Sequence, residues 1–265
     1  MPELPDVEVN RRYLDATALH QPVSAVRVGG GKNRRVLEGV SPQGLGKKLA
    51  GRSFDGTRRH GKYCFAALSG DGHVVFHFGM TGLLRYYENE PEDLDHVRVR
   101  FEFENGHYLA FVDQRLLGGV ALTGDPEKFV REKNLGPDAL DGLDENRFDA
   151  LMEKSGAMIK SLLTDQRKVA GVGNVYADEI LFQAGVPPTA AAGSLGRSQR
   201  RRLFKALKRV LTEAIEAGAD PERMPGSYLL PVRREDGPCP HCGAELKKIA
   251  VQGRGTFYCP ACQEG

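Results

Sequence analysis

The chain has 265 residues, of which 40% are hydrophobic and 27% charged, with a net charge of only +2. This is enough apolar material for two domains plus an appendage, which excludes a disordered chain, and the mean charge does not by itself declare a polyanionic partner. No apolar run approaches the ~18 residues that cross a bilayer, and no secretory or lipidation signal is present, so the expectation is a soluble cytoplasmic protein.

In chain order, DVEVNRRYLDATAL spaces Val7, Val9, Tyr13 and Leu14 as a helix does. Residues 60–125 are then written in strands: KYCFAAL, HVVFHFG, LLRYY, HVRVRFEF, HYLAFVD and GGVALT. HVRVRFEF alternates in period two, so one face is buried and the other solvated. Asn105-Gly106 predicts a two-residue type I′ hairpin with positive φ at both positions. These features predict an antiparallel sandwich or barrel with a helix before it, and Cys64 reads as a buried strand residue.

PEKFVREKNLGPDAL is expected to be a connecting stretch. Helical spacing returns in DENRFDALMEK, opening at Asp144, and in SGAMIKSLLTDQRKV, with Ile159, Leu162 and Leu163 on one face. GVGN (171–174) precedes a helix that ends at Gly185, before Pro187-Pro188. Its glycines and the following helix N-terminus suit a phosphate, or simply make a tight turn with an Asn N-cap. A final long helix buries Leu203, Leu207, Val210, Leu211, Ala214 and Ile215 and stops at Gly218. Its basic stretch RSQRRRLFKALKR (197–209) is a solvated amphipathic face, or a surface that attracts phosphate in a salt-sensitive way.

The terminal segment holds CPHC (239–242) and CPAC (259–262). Two C-x-x-C knuckles at this separation fit one structural Zn2+ held by Cys239, Cys242, Cys259 and Cys262, which a short hairpin with little apolar surface needs in order to fold. Two disulfides are the alternative, disfavoured without a secretory signal. The fold class is α+β multidomain: an N-terminal antiparallel β-sandwich with flanking helices (1–125), a helical domain (126–225) and a zinc-finger β-hairpin (226–265).

DQRKVAGVGNVYADEILFQAGVPP resembles the helix-two-turn-helix of the formamidopyrimidine-DNA glycosylase and endonuclease VIII family. The opening MPELPDVE, RRHGKY around Lys62, HFGMTGLLR around Met80, DQRLLGG around Arg115 and GRGTFYCPACQ at the C-terminus resemble that family in the same order, so the likeness spans the chain. It implies a monomeric bifunctional DNA glycosylase and abasic-site lyase of base-excision repair that excises oxidised or ring-opened purines from damaged double-stranded DNA, with the oxidised-pyrimidine specificity of endonuclease VIII as the alternative.

The resemblance also implies site roles. Removal of Met1 would leave Pro2 a secondary amine that titrates near pH ~8 and is nucleophilic at pH 7. It would attack C1′, displace the base and form an iminium from which β-elimination follows. Glu3 would protonate the deoxyribose ring oxygen and shuttle protons; taken alone, it reads as a helix-dipole partner in a first turn. Asp6 and Glu8 would act electrostatically. Lys62, otherwise a solvated strand-end lysine, would contact phosphate and assist elimination. Arg254, near the hairpin tip, would contact phosphate and promote δ-elimination. Met80 would fill the gap left by the extruded base, Arg115 would meet the orphaned base and Leu117 would wedge, where their ordinary readings are core and surface residues. His96, Lys154, Gly171, Gly173 and Asn174 complete the DNA contacts.

Three departures bear on substrate. The family typically reads DPRRFG where this chain has Asp113-Gln114-Arg115-Leu116-Leu117-Gly118, so an aromatic wedge becomes leucine. Leu94 stands where a phosphate-contacting histidine is expected beside His96. EAGADPERMPGSYLLPVRRED is short for the loop that covers an oxidised purine, which turns attention to ring-opened purines, or to oxidised pyrimidines as in endonuclease VIII. Two rivals remain from other classes: a catalytically silent damage binder of the same fold, and a zinc-ribbon transcription factor, which would leave the N-terminus unexplained.

Overall fold

The structure, a computed structural model, describes residues 2–89 and 94–264. Met1, whose removal the family resemblance implies, lies outside them, as do four residues of the acidic stretch 87–95. Contacts divide the chain into two compact units: Pro2 with Asp6–Lys133, and Glu3–Pro5 with the chain from Asn134 onward.

The elements of the first unit are α1 (Leu4–Thr17, whose first residues Leu4 and Pro5 belong to the second unit), β1 (Val23–Val28), β2 (Leu37–Glu38), α2 (Pro42–Leu49), β3 (Phe54–His60), β4 (Tyr63–Leu68), β5 (His73–His77), β6 (Leu83–Tyr87), β7 (Val97–Phe103), β8 (Tyr108–Val112), β9 (Gly119–Thr123) and α3 (Pro126–Glu132). One sheet runs β1-β7-β8-β6 and the other β2-β9-β5-β4-β3, antiparallel except for the two-residue β2–β9 pairing. The alternation of HVRVRFEF buries Val99, Phe101 and Phe103. Between the sheets Phe101 meets Phe54 and Phe76 edge-on at centroid distances of 5.7 and 6.0 Å. Each buried phenylalanine of this kind contributes about 2–3 kcal/mol of apolar transfer. Cys64 is buried in β4, and burial pushes its thiol up to about 12.

Two expectations are corrected here. At Asn105-Gly106 only Gly106 takes a positive φ. The Phe103 carbonyl accepts from Gly106 N–H, and Phe103 N–H donates to His107, so a type I turn followed by a left-handed glycine replaces the two-residue turn. Asn105 can stay right-handed because its Oδ1 accepts from His107 N–H at 3.0 Å. The connecting stretch after residue 125 contains α3, because Asp125 caps the N–H groups of Glu127 and Lys128 while Pro126 presets the first turn.

The second unit holds α4 (Glu145–Glu153), α5 (Ile159–Thr164), α6 (Asn174–Ala184), α7 (Arg197–Glu216), β10 (Lys247–Val251) and β11 (Arg254–Tyr258). Asp144 caps α4, Gly185 ends α6 at φ 62°, and the six α7 residues expected in the core are all buried. The N-cap of α6 is Gly173, with Asn174 the first helical residue, so the expected Asn cap shifts by one position. A separate small core of Phe182, Leu229, Cys239, Leu246 and Cys259 seats the hairpin on the helices.

The basic face of α7 is largely matched within its own unit. Arg200 pairs with Asp149 at 2.6 Å, Arg201 with Glu145 at 3.5 Å, and Arg202 donates to the Ala184 carbonyl.

Candidate active site

In the first unit α1 closes an exposed sheet edge. β6 is an edge strand, and its outward N–H groups are met by α1 side chains: Leu84 N–H donates to Asn10 Oδ1 and Tyr86 N–H to the Tyr13 hydroxyl, each at 2.8 Å. This docking brings Pro2 into a cleft of about 420 Å³ with Asp6, Asn10, Tyr13, Met80 and Thr81. Pro2 and Met80 are thus brought together, as the resemblance implies.

Asp6 and Glu8 separate in role. Asp6 lines the cleft, whereas Glu8 is buried among Arg11, Arg12 and Arg59. Burial alone would raise the Glu8 carboxyl, but these guanidinium groups outweigh it and hold the group below its ordinary value. Glu8 is therefore a structural counterion that fixes α1.

Lys62 lies in the turn just before β4, half-buried, rather than opening the strand. His96 is exposed with φ 63°, and Leu94 lines a surface cleft with Arg27, Arg98 and Arg100. Met80 and Leu117 project at 36% and 52% exposure, large values for apolar side chains, and Arg115 is exposed between the buried Asp113 and Gly118.

In the second unit Glu3 is fully buried and caps α6. Its carboxylate accepts from Gly173 N–H at 2.6 Å, Val175 N–H at 2.8 Å and Tyr176 N–H at 3.2 Å. Glu3 is a helix-dipole partner after all, but of α6 rather than of its own helix. Two of the donors that GVGN was expected to offer a phosphate are therefore already bonded: Gly173 N–H to Glu3, and Gly171 N–H to Gln166 Oε1. The glycines serve by lacking a side chain, since a Cβ at Gly173 would fall 2.3 Å from the Glu3 carboxyl carbon and one at Gly171 2.6 Å from Leu4 Cδ1. Asn174 donates to the Gly255 carbonyl at 3.0 Å, tying α6 to the hairpin. Lys154 is exposed at the C-terminus of α4.

Arg254 is exposed as the first residue of β11. The turn before it, Gln252-Gly253, has positive φ at both residues, the type I′ geometry that was expected at Asn105-Gly106. Arg254 shares a cleft of about 480 Å³ with Ser161, Asp165, Gln166, Arg167, Lys168 and Gln252; Asp165 pairs with Arg167 at 2.9 Å, and Lys168 and Arg254 add positive charge that suits a phosphate.

Behind it lies a buried ion cluster absent from the sequence reading. Lys160 pairs with Asp178 at 2.6 Å and donates to Thr256 at 2.7 Å, Arg233 pairs with Asp178 at 2.6 Å, and Phe257 N–H donates to Asp178 at 3.1 Å. Burial pulls the Lys160 ammonium below the ordinary lysine range, against the attraction of Asp178 and Glu3. The cluster fastens β11, and so Arg254, to α5 and α6. The signal for it was a lysine on the apolar face of a helix beside Ile159 and Leu162, which requires a buried acid.

Glu179, the next residue on α6, is also fully buried. It accepts from Leu229 N–H and Leu230 N–H at 3.2 and 2.7 Å, pinning the segment after α7. Burial raises its carboxyl from 4.5 to about 7 in spite of those hydrogen bonds. A folded-state value above the unfolded one favours the protonated fold, so this group's contribution is fully present below pH ~4.5 and declines as pH rises through ~7, by about 3 kcal/mol in all. Thermal unfolding of wild type and Glu179→Gln between pH 4.5 and 7.5 should show the steeper alkaline-side loss only in wild type; parallel profiles would refute it.

The cysteine sulfurs all lie within 4.8 Å of one another, with 3.8 Å between Cys239 and Cys262 and 3.6 Å between Cys242 and Cys259. A tetrahedron with Zn–S arms of ~2.3 Å has edges of about 3.8 Å. The cysteines are free thiols, so the disulfide alternative falls, and the donor set fits one structural zinc.

Comparison with known proteins agrees along the whole chain. Family models match as the formamidopyrimidine-DNA glycosylase N-terminal domain over residues 1–120, its H2TH domain over 135–224 and the zinc finger found in FPG and IleRS over 237–265. A formamidopyrimidine-DNA glycosylase of Listeria monocytogenes is 34% identical with both chains fully covered, and one of Thermus thermophilus is 36% identical over 99% of this chain and 98% of its own. Among solved structures, Lactococcus lactis Fpg with an abasic site containing DNA superposes with TM-score 0.89 at 29% identity, covering 99% of this chain and 100% of that one. A G226P mutant of the same protein with a Fapy-dG containing DNA gives 0.90 at 29%, both chains fully covered. With Pro2 in a cleft beside Met80, Glu3 seated on the α6 N-terminus and four thiols set for zinc, this chain belongs to the formamidopyrimidine-DNA glycosylase family.

Proposed function

We propose that this DNA glycosylase of base-excision repair removes ring-opened and oxidised purines from duplex DNA and cleaves the abasic strand through a Schiff base on Pro2. The observation that carries the reading is Pro2 in an open cleft with the exposed Met80, its chain neighbour Glu3 held at a helix N-terminus.

The Pro2 nitrogen forms a bond to C1′ as the glycosidic bond breaks, and the base leaves with that electron pair and takes up a proton. The C1′–O4′ bond then opens, with Glu3 supplying the proton to O4′, leaving an iminium between C1′ and the proline nitrogen. Loss of a C2′ proton expels the 3′-phosphate, and a second elimination, with Arg254 holding the departing phosphate, expels the 5′-phosphate. Lys62 contacts the phosphate and assists the first elimination. Zinc keeps the hairpin folded and takes no part in these steps. The protein works as a monomer, at the nucleoid in a bacterial cell.

Ring-opened purines are favoured within the class. The segment after α7 buries Met224, Tyr228, Leu229 and Leu230 and is pinned by Glu179, and Tyr228 bonds Glu213, so it is built as part of the core rather than as a loose cover. A Lactococcus lactis relative has been solved with Fapy-dG containing DNA.

Borohydride trapping on a duplex with one abasic site, followed by peptide mass spectrometry, should locate the adduct on Pro2. No adduct, with Met1 shown to be removed and duplex binding intact, would sink the enzyme reading and leave a silent binder. Duplexes carrying Fapy-dG, 8-oxoguanine or an oxidised pyrimidine then rank the lesions.

A further inference from the structure

The two apolar tips of the first unit sit on separate crossings between the sheets. Met80 lies between β5 and β6, and Arg115 and Leu117 lie between β8 and β9. Because β5 pairs with β9 and β6 with β8, both loops leave and arrive at neighbouring strand ends, with His77 opposite Gly119 and Leu83 opposite Val112. They touch: a Cβ on Gly79 would lie 2.3–2.4 Å from the Leu117 and Gly118 backbone, and Gly79 takes φ 57°.

Asp113 holds the two loops together. It is fully buried; Oδ1 accepts from the Thr81 hydroxyl at 2.6 Å and from Arg115 N–H at 3.2 Å, and Oδ2 accepts from Gly118 N–H at 2.7 Å. Arg115 N–H also donates to Thr81 Oγ1 at 3.1 Å. From behind, Arg98 donates to the carbonyls of Asp113 and Gln114 at 2.6 and 3.2 Å. One carboxylate therefore bonds to both ends of the Arg115–Leu117 loop and to the residue after Met80. Leu116, held at φ 56°, is the strained residue this arrangement maintains.

We propose that Asp113 and Thr81 fasten the two tips into a single preformed wedge, so that Met80, Arg115 and Leu117 enter the duplex in fixed register and set the choice of opposite base. They are positioning residues, and the proposal rests on the DNA roles read above for the three tip residues. It also accounts for a leucine wedge: a side chain that cannot stack as a ring does depends more on being placed correctly.

The leading test is Thr81→Val in the full-length zinc-bound protein, because the hydroxyl can be removed at near-constant volume without opening the buried Asp113 site. The readouts are fluorescence of a 2-aminopurine beside the lesion, which reports insertion, and the ratio of excision rates for Fapy-dG opposite cytosine and opposite adenine. Expected are about tenfold slower insertion and about tenfold loss of the ratio, recovery in Thr81→Ser, and no further loss when Asp113→Asn is added to Thr81→Val. An unchanged ratio and insertion signal in Thr81→Val, whatever the melting temperature does, overturns the proposal. Met80→Ala and Arg115→Ala separate the two levels. If they too leave both readouts unchanged, the DNA role of the tips is wrong and the wedge falls with it; if they abolish them while Thr81→Val does not, only the fastening is wrong.

Discussion

Glu3→Gln lowers single-turnover release of a damaged base by about 10²–10⁴-fold, the usual worth of a positioned proton donor, while trapping at a preformed abasic site stays within about tenfold of wild type. The split follows from the chemistry. Base loss is completed only when the sugar opens with a proton on O4′, because until then the displaced base can return to C1′, whereas an abasic sugar already exists partly as the open aldehyde and needs only an amine. The geometry adds a second consequence. Both Glu3 oxygens accept backbone N–H groups of Gly173, Val175 and Tyr176, and an amide must turn one NH2 toward a donor. The α6 cap weakens, with an expected cost of about 1–2 kcal/mol in urea unfolding. Equal losses in base release and abasic-site trapping would show that Glu3 acts only through the fold.

Removing zinc, by chelation or by Cys259→Ser, is the other change with a large effect. Structural zinc in small fingers contributes about 10–16 kcal/mol of folding free energy, and the hairpin has little to replace it. Its own core is the small cluster around Phe182, Leu229 and Leu246, whereas α4 to α7 share a separate and much larger core. The stripped protein should keep its helical circular dichroism, lose protection of the β10 and β11 amides to hydrogen exchange, and bind an abasic duplex on the order of 10²-fold more weakly. Arg254→Ala isolates the tip. It should retain zinc, lower the salt slope of duplex binding by about one, and suppress the second elimination more than the first. Full affinity and an unchanged salt slope after zinc removal would contradict the placement of Arg254 on the DNA.

The sequence by itself determined much of this protein. Period-two burial in HVRVRFEF, the apolar stripe of α7, the Asp144 cap and the Gly185 stop are local: each depends on spacing, capping or positive φ within a few residues, and each is where it was expected. The zinc site was legible because ligand spacing is itself a local quantity. The place of Pro2 in a cleft with Met80 follows the resemblance rather than any local spacing.

Only the tertiary structure decided which groups meet across long separations. Glu3 finds the α6 N-terminus at Gly173, Asp178 gathers Lys160, Arg233 and Phe257, and Asp113 bridges to Thr81. No periodicity encodes such pairs, because a buried carboxylate is satisfied by whichever donors the packing of distant elements delivers. The turns make the same point. Asn105-Gly106 has the residues of a type I′ turn, yet the register of β7 and β8 assigns it another, while Gln252-Gly253 adopts type I′ between Val251 and Arg254. Turn chemistry states what a residue tolerates, and strand pairing selects among the tolerated forms.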